Sequence, residues 1–435
     1  MNILNLPHWT ILSTDESDHD YRLTVQYDTH EAMCPHCFSM KVSRFGKLAQ
    51  LYMDLPVHAK RVGLNVQRQR YRCENCGKTF MQSLPDLDEK RAVTKRLLKY
   101  IQQESLKRTF TSVAEDVGLT EKTIRNIFKE HVANIAKTVV FATPEWLGID
   151  ELHLLKKPRC IITNVKERTV VDLLINRNKP TVVNYLRTLA DKQGIQLVTM
   201  DMWQPYRDAV TDVMPHAQII VDKYHIVRMA NQSMESVRKV IRAELTDRQR
   251  RTLMHDRHIL LRRRHELKPA DTMILQSWTG TFPALRASYD LKESFMDIWQ
   301  SPTRPTAEAS YKTWRESIPS ELESAFKPLT LAMNNWHTEI FAYFNHGGAT
   351  NAYTEALNGL VKLANKTGRG YSFDAIRAKL LYGIGLHKQQ KPPYQKQWPS
   401  DRLGRDFPPV DEPMATNYGN DISTLIAELS EEEDE

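Results

Sequence analysis

Residues 146–151 read WLGIDE, a short apolar run that ends in two acids. The composition and length suit a strand closing on Asp150. Moving outward, Arg159–Val165 and Thr169–Ile175 are two more runs rich in β-branched residues, separated by Lys166-Glu167-Arg168. They read as the next strands of a meander. A helix is expected from about Thr181 to Lys192, then the strand Gln196–Met200, ending at Asp201. A further helix, Pro205–Met214, and the strand Ala217–Val221, ending at Asp222, follow.

Three strands, helix, strand, helix, strand is the order of a ribonuclease H-like core, an α/β fold. In that core the strands ending at Asp150 and Asp201 are neighbours, and acids beside a sheet opening lie where α/β sites form. The neighbouring Glu151 and Asp208 leave a shifted ligand open as an alternative.

A third acid comes from Asn351–Arg369, NAYTEALNGLVKLANKTGR. As a helix it places Asn351, Glu355, Asn358 and Lys362 on one polar face, while Ala352, Ala356, Leu360 and Leu363 would pack on a core. A carboxylate flanked by amides, with Lys362, Lys366 and Arg369 nearby, suits a metal ion beside a phosphate chain. Three acids at one sheet opening can hold two Mg²⁺ or Mn²⁺ ions for in-line phosphoryl displacement.

Between the acids, Lys223 to about Trp336 lacks strand patterns and is basic, with Arg238, Lys239, Arg242, Arg248, Arg250, Arg251, Arg257, Arg262, Arg263 and Arg264. It reads as an all-helical insertion. Trp278, Trp299, Trp314 and Trp336 are expected in its core, with stacking on a flipped base the competing expectation. Asp222 and His225 form a D-x-x-H element that could support the site.

The N-terminal third has a different texture. Cys34-Pro-His-Cys37 and Cys73-Glu-Asn-Cys76 are two CxxC knuckles offering four thiolates to one structural Zn²⁺. The 35 residues between them must carry structure of their own. Cys160 lies in an apolar run and is expected in a core. In a strand, Arg68, Arg70 and Arg72 share a face suited to phosphates. Next, Thr111–Val117, with Ser112 and Glu115 in capping-box spacing, reads as a short helix. Gly118-Leu119 makes a turn, and Thr120 caps a helix from Glu121 to about Ala136. This is helix-turn-helix spacing, presenting Lys122, Thr123, Arg125 and Asn126 to a major groove.

The 435 residues carry a formal net charge of +7, although the last five are all acidic, so the body suits a polyanion. No apolar run approaches the roughly 20 residues of a membrane span. The opening MNILNLPHWT lacks signal-peptide features, and a cytoplasmic protein is expected.

Taken together, the knuckles, the helix-turn-helix, "GIDE", "MDMWQPY", "VDKYHIVR" and "NAYTEALNGLVK" resemble the DDE transposases of bacterial insertion sequences, specifically the ISL-three family. The resemblance implies Asp150, Asp201 and Glu355 as catalytic triad. It also implies terminal-inverted-repeat binding by the N-terminal modules, target-DNA joining, and action as a homodimer or higher multimer on paired ends at the nucleoid.

Six segments are expected: a zinc-binding domain (1–88), a helix-turn-helix (89–143) and a first core part (144–225). A helical insertion (226–340), a last core part (341–392) and an acidic tail (393–435) complete the chain. Arg68, Arg70, Arg72, Lys122, Thr123, Arg125, Asn126, Lys362 and Arg369 are the expected DNA contacts, with Asp222, His225, Asn351 and Asn358 in support. The competing functions are a non-catalytic DNA-binding regulator, or domesticated transposase, and a structure-selective nuclease.

Overall fold

A computed structural model describes residues 5–28, 33–346 and 351–384. These fall into two compact units, residues 5–140 with 364–384, and residues 141–363. The acidic tail expected at 393–435 lies outside the described residues.

The first unit begins with a sheet of seven strands: β1 (Trp9–Glu16), β2 (Asp20–Tyr27), β3 (Val42–Val57), β4 (Lys60–Cys73), β5 (Thr79–Met81), β6 (Leu87–Asp88) and β7 (Val93–Thr94). Their order is β1-β2-β4-β3-β7-β6, with β5 on β4. The segment between the cysteine pairs is the long β3–β4 hairpin. It turns at His58 and Ala59, both in the left-handed region at φ 51° and 62°, as a two-residue hairpin turn requires. Leu23, Val25, Tyr52, Val62, Leu64 and Val66 form the core of the sheet.

Three helices follow: α1 (Lys95–Lys107), α2 (Phe110–Val117) and α3 (Glu121–Thr138). Each starts on a threonine, with Thr94, Thr109 and Thr120 accepting from the Leu97, Ser112 and Thr123 amides. The cap of α2 is therefore Thr109, not the expected Ser112. Phe110 is 2% exposed and is pulled in as the first residue of the helix. Gly118 ends α2 at φ +70°, and a Cβ there would lie 2.8 Å from Met53 Cε. The left-handed φ is what favours glycine at this turn, since the end of the Met53 side chain can move aside.

The second unit holds a five-stranded sheet: β8 (Trp146–Leu154), β9 (Lys157–Asn164), β10 (Thr169–Leu174), β11 (Leu197–Met200) and β12 (Gln218–Val221). The order is β10-β9-β8-β11-β12, with β10, β9 and β8 antiparallel and β8, β11 and β12 parallel. Helices α4 (Lys179–Thr188) and α5 (Gln204–Val213) cover one face through Val182, Val183, Leu186, Tyr206, Ala209 and Val210. Cys160 is fully buried in that core, as expected.

Beyond β12 the described chain is helical until residue 346: α6 (Lys223–Ala243), α7 (Asp247–His255), α8 (Arg257–Leu261), α9 (Pro269–Thr281), α10 (Pro283–Asp297), α11 (Arg304–Glu316), α12 (Glu323–Asn335) and α13 (His337–Phe341), with short 3₁₀ turns. Their apolar faces share one core. Trp314 and Trp336 are buried in it, and Trp278 and Trp299 pack against it. Trp314 Nε1 donates to Leu291 O at 2.8 Å, and Trp278 Nε1 donates to Asp256 Oδ2 at 2.8 Å. All four act as packing residues here.

Helix α14 (Ala352–Gly368) follows, then α15 (Phe373–Ala378) and a π turn at Lys379–Ile384. Within the first unit, buried Lys379 donates to Arg108 O at 2.8 Å and to Ser105 O, closing the C-terminal end of α1. Its ammonium lies 4.6 Å from the Phe110 ring centre. Burial pulls its pKa down to about 8.

Candidate active site

The site is built where β11 stops. Strand β8 pairs with β11 only from Trp146 to Ile149, so Asp150 is the first residue of β8 past that pairing. The expected short strand ending at Asp150 is longer than its apolar text. It continues to Leu154 because β9 still pairs it, through a turn at Leu155 and Lys156 with φ 54° and 60°. Asp150 thus sits mid-strand, yet at the opening left by the shorter neighbour. Asp201 directly follows β11, and Asp222, after β12, is the N-cap of α6.

Helix α14 crosses this opening. Asn351 caps it, its carbonyl accepting from the Thr354 and Glu355 amides. Asn351 is itself fixed twice. Its amide donates to Asp222 Oδ2 at 3.0 Å, and Thr199 Oγ1 donates to its Oδ1 at 3.2 Å. Thr354 Oγ1 lies 2.7 Å from Thr163 Oγ1 in a buried contact. Both hydroxyls lie over Gly148, where a Cβ would come within 2.3 Å of Thr163 Oγ1 and 2.9 Å of Thr354 Oγ1. That glycine lets the helix lie close on the sheet.

The buried side of α14 is therefore Asn351, Thr354, Leu357 and Val361. The face expected in the core is not buried: Ala352 is exposed and Leu363 is 39% exposed. The cause is local. This helix packs over a polar cleft, so its amides and hydroxyls turn inward where bonds are available to them.

Glu355 and Asn358 face the cleft. Asn358 Nδ2 donates to Asp150 Oδ2 at 2.7 Å, and the Glu151 amide donates to Asp150 Oδ1 at 2.6 Å. His225 Nε2 lies 2.8 Å from Asp201 Oδ1 and 3.8 Å from Glu355 Oε1. The Asp201 contact is a charge pairing rather than a well-aligned hydrogen bond, since Oδ1 receives no well-directed donor. Burial, reinforced by the Asp201 charge, pushes Asp150 up to about 8. Burial, with Asp222 and Asp201, pushes Glu355 up to about 7. Burial also raises Asp222. It works against a charged His225, but the surrounding carboxylates outweigh it and raise that group. Several acids here compete for too little positive charge.

The neighbouring acids are engaged elsewhere. Glu151 pairs with Arg177, which stacks 4.4 Å from the Trp203 ring centre, and with His153. Asp208 accepts from Gln204 Nε2 at 2.6 Å. Neither faces Asp150 and Asp201 as a ready ligand.

The four cysteines come together. Their sulfurs all lie within 4.8 Å of one another, the only such cluster of three or more ligand side chains among the described residues. Cys34 and Cys76 are 3.6 Å apart, and Cys37 and Cys73 are 3.5 Å apart. A tetrahedron with Zn–S near 2.3 Å needs about 3.8 Å between sulfurs, so the set fits zinc. The knuckles match each other: Phe38 donates its amide to Cys34 O and Gly77 to Cys73 O. Both turn residues have positive φ, 56° and 69°. The Cys76 and Asn75 amides favour the charged form of Cys73 and pull that thiol down.

The expected DNA contacts divide. Arg70, Arg72, Lys122, Asn126, Lys362 and Arg369 are exposed, and Thr123 is half-buried beside its cap. Arg68 is not available. It is 5% exposed and pairs with Glu89 at 2.6 Å while donating to Gln82 O. Arg68 shares the strand face, but Gln82 and Glu89 cover it. Arg125 is also occupied, pairing with Glu121 at 2.5 Å and lying 4.9 Å from the Phe110 ring centre. Thr354, Thr163 and Gly148 were not legible as site residues, because only the packing brings them together.

Against known proteins, a transposase model of the ISL3 family matches residues 147–380, more than half of the chain. The chain belongs to the ISL3 transposase family. The helix-turn-helix domain of transposase family ISL3 matches residues 82–132, and the zinc finger of IS204, IS1001, IS1096 and IS1165 transposases matches residues 30–76. A curated relative, the transposase for insertion sequence element IS1001 from Bordetella parapertussis, is 25% identical over 325 residues. That alignment covers 73% of this chain and 80% of the relative. The helix-turn-helix and transposase domains make this a DNA-binding transposase, and the zinc finger agrees with the cysteine cluster. No helix among the described residues is long and apolar enough to cross a membrane.

Proposed function

We propose that this transposase cleaves and joins DNA by metal-dependent phosphoryl transfer, with Asp150, Asp201 and Glu355 as Mg²⁺ or Mn²⁺ ligands on a ribonuclease H-like core. The observation that carries this is that Asp201 and Glu355 meet at His225 while Asn358, on the helix of Glu355, holds Asp150, inside the family match. The donor set suits a hard divalent cation: Asp150 and Glu355 have raised proton affinity, and an Asp201 oxygen lacks a directed donor. Their oxygens do not all lie within 4.8 Å of one another. Asp150, Asp201 and Glu355 would hold two such ions between them. Such ions supply charge stabilisation and a more acidic attacking water or 3′-hydroxyl. The chain holds the ligands: Asn358 orients Asp150, Asn351 and Thr354 seat the helix of Glu355, and His225 balances Asp201.

DNA ends are recognised by the zinc-binding and helix-turn-helix segments, at about 1–88 and 89–143. The helical insertion at 226–340 divides the catalytic core. The protein works as a homodimer or larger multimer on paired inverted repeats, at the bacterial nucleoid. The test is end cleavage and strand transfer in Mg²⁺ by Asp150→Asn, Asp201→Asn and Glu355→Gln. Each variant is expected to bind end DNA normally and to lose at least 10³-fold in cleavage rate. Activity in Glu355→Gln near the wild-type level contradicts the assignment.

A further inference from the structure

Four of the eight arginines up to residue 96 carry carboxylate partners. Arg61 pairs with Asp20, Arg68 with Glu89, Arg91 with Asp88 and Arg96 with Asp54. Exposed Arg22 on β2 has no ion pair among the described residues, and neither do four cations on the β3–β4 hairpin. Arg44, Lys47, Arg70 and Arg72 are exposed, and no ion pair to any of them is found among the described residues. Arg44 and Lys47 flank a bulge, and their strand partners Tyr71 and Gln69 put them on the face of the hairpin opposite Arg70 and Arg72. Arg44 stands opposite Tyr71 and Lys47 opposite Gln69, so β3 carries one extra residue between them. Gly46 adopts φ +102° within the bulge, and Gln69 Nε2 donates to its carbonyl at 2.7 Å. The bulge presents Phe45, 48% exposed, beneath two guanidiniums. Arg70 and Arg72 lie 5.5 and 5.8 Å from its ring centre.

An exposed phenylalanine under two uncompensated arginines does not build a core. It holds two long side chains in a fixed pose and lowers the entropy lost when they bind. Four unpaired cations beside a rigid strand pair suit a regularly spaced polyanion, not an apolar protein face.

We infer that the β3–β4 bulge is a prong that grips the phosphate backbone of duplex DNA, with Arg44, Lys47, Arg70 and Arg72 as contacts and Phe45 as the residue that positions Arg70 and Arg72. It rests on the reading that the N-terminal part engages DNA. The prong contacts phosphates alone, so it adds affinity irrespective of sequence and leaves base reading to the helix-turn-helix.

The test is fluorescence anisotropy of the full-length, zinc-loaded protein across a salt series, on a duplex carrying an element end and on a scrambled duplex. Arg70→Gln/Arg72→Gln is expected to lower affinity at least tenfold on both duplexes. The slope of log affinity against log salt should shrink by roughly 2, at about 0.9 per lost phosphate contact. Phe45→Ala is expected to cost roughly threefold to tenfold with the slope unchanged, because the charges remain. Arg70→Lys/Arg72→Lys keeps the slope but loses affinity, since ammonium groups do not reproduce the guanidinium fork. Zinc content and melting temperature equal to wild type show that each variant folds.

Wild-type slope and affinity in the two double variants, while the unaltered protein binds DNA, overturn the prong and leave the DNA-binding reading intact. Loss of self-association with DNA binding unchanged overturns it in favour of an interface between copies. An unaltered protein that binds neither duplex overturns the DNA reading itself.

Discussion

Replacing Gly148 by alanine tests whether the close seat of α14 sets the position of Glu355. The new Cβ would lie 2.3 Å from Thr163 Oγ1, 2.9 Å from Thr354 Oγ1 and 2.9 Å from Val165 Cγ2, where ordinary contact begins near 3.4 Å. Relief requires a movement of about 1 Å, or rotation of Thr163 out of its 2.7 Å contact with Thr354. Rotation strands a buried hydroxyl and costs roughly 1–3 kcal/mol. Movement displaces α14 at Thr354, one residue from Glu355, and overpacking costs a similar roughly 1–3 kcal/mol. A misplacement of about 1 Å at a reacting centre costs on the order of 10²-fold in rate. Denaturant unfolding and single-turnover end cleavage under folding conditions give the two readouts. A variant destabilised in this range but cleaving at the wild-type rate refutes the claim that the seat positions Glu355.

Other outcomes follow from the same site and from the helix-turn-helix. Asp150 near 8 and Glu355 near 7 are acids whose folded values lie above their unfolded ones. They stabilise the metal-free protein fully at low pH, and that stability is lost as pH rises through 7 and 8. Without Mg²⁺, this contribution to the melting temperature should fall from about pH 4 to about pH 8 and level off above, and Asp150→Asn should flatten the trend. Mg²⁺ affinity should run oppositely and weaken as pH falls below 7, because ligation displaces these protons. Arg125→Gln should destabilise the fold by roughly 0.5–2 kcal/mol, since that guanidinium stacks on Phe110 and pairs with Glu121. Lys122→Gln, on the exposed side of α3, should leave melting unchanged and weaken DNA binding in anisotropy.

Much of this was legible from chain text because it is written in local patterns. Short β-branched runs and CxxC pairs fixed the element order and the zinc cluster. Thr94, Thr109 and Thr120 all cap helices, yet the Ser112–Glu115 spacing imitated a cap one turn too late. Burial of Phe110 decided the matter, and burial is a tertiary property. The amphipathic reading of α14 grouped Glu355 and Asn358, which do face the cleft, with buried Asn351 and exposed Lys362, and it assigned the core to the opposite side. A period gives faces, not what lies beneath them, and here a polar cleft lies beneath. Arg68 and Arg70 share one strand face, but only packing shows that Glu89 covers the first and leaves the second in solvent. Gly148 gave no signal, because its role depends on threonines 15 and 206 residues away along the chain.

The central claim is that Asp150, Asp201 and Glu355 hold the ions that drive cleavage, and a ligand swap tests it most directly. Asp150→Cys, Asp201→Cys and Glu355→Cys each replace a hard oxygen with a thiolate that Mg²⁺ binds poorly and softer cations accept. End cleavage by each variant should be lost in Mg²⁺ and partly restored in Mn²⁺ or Cd²⁺, with DNA binding constant throughout. Equal activity in Mg²⁺, or no change of metal preference at any of the three positions, would contradict the account.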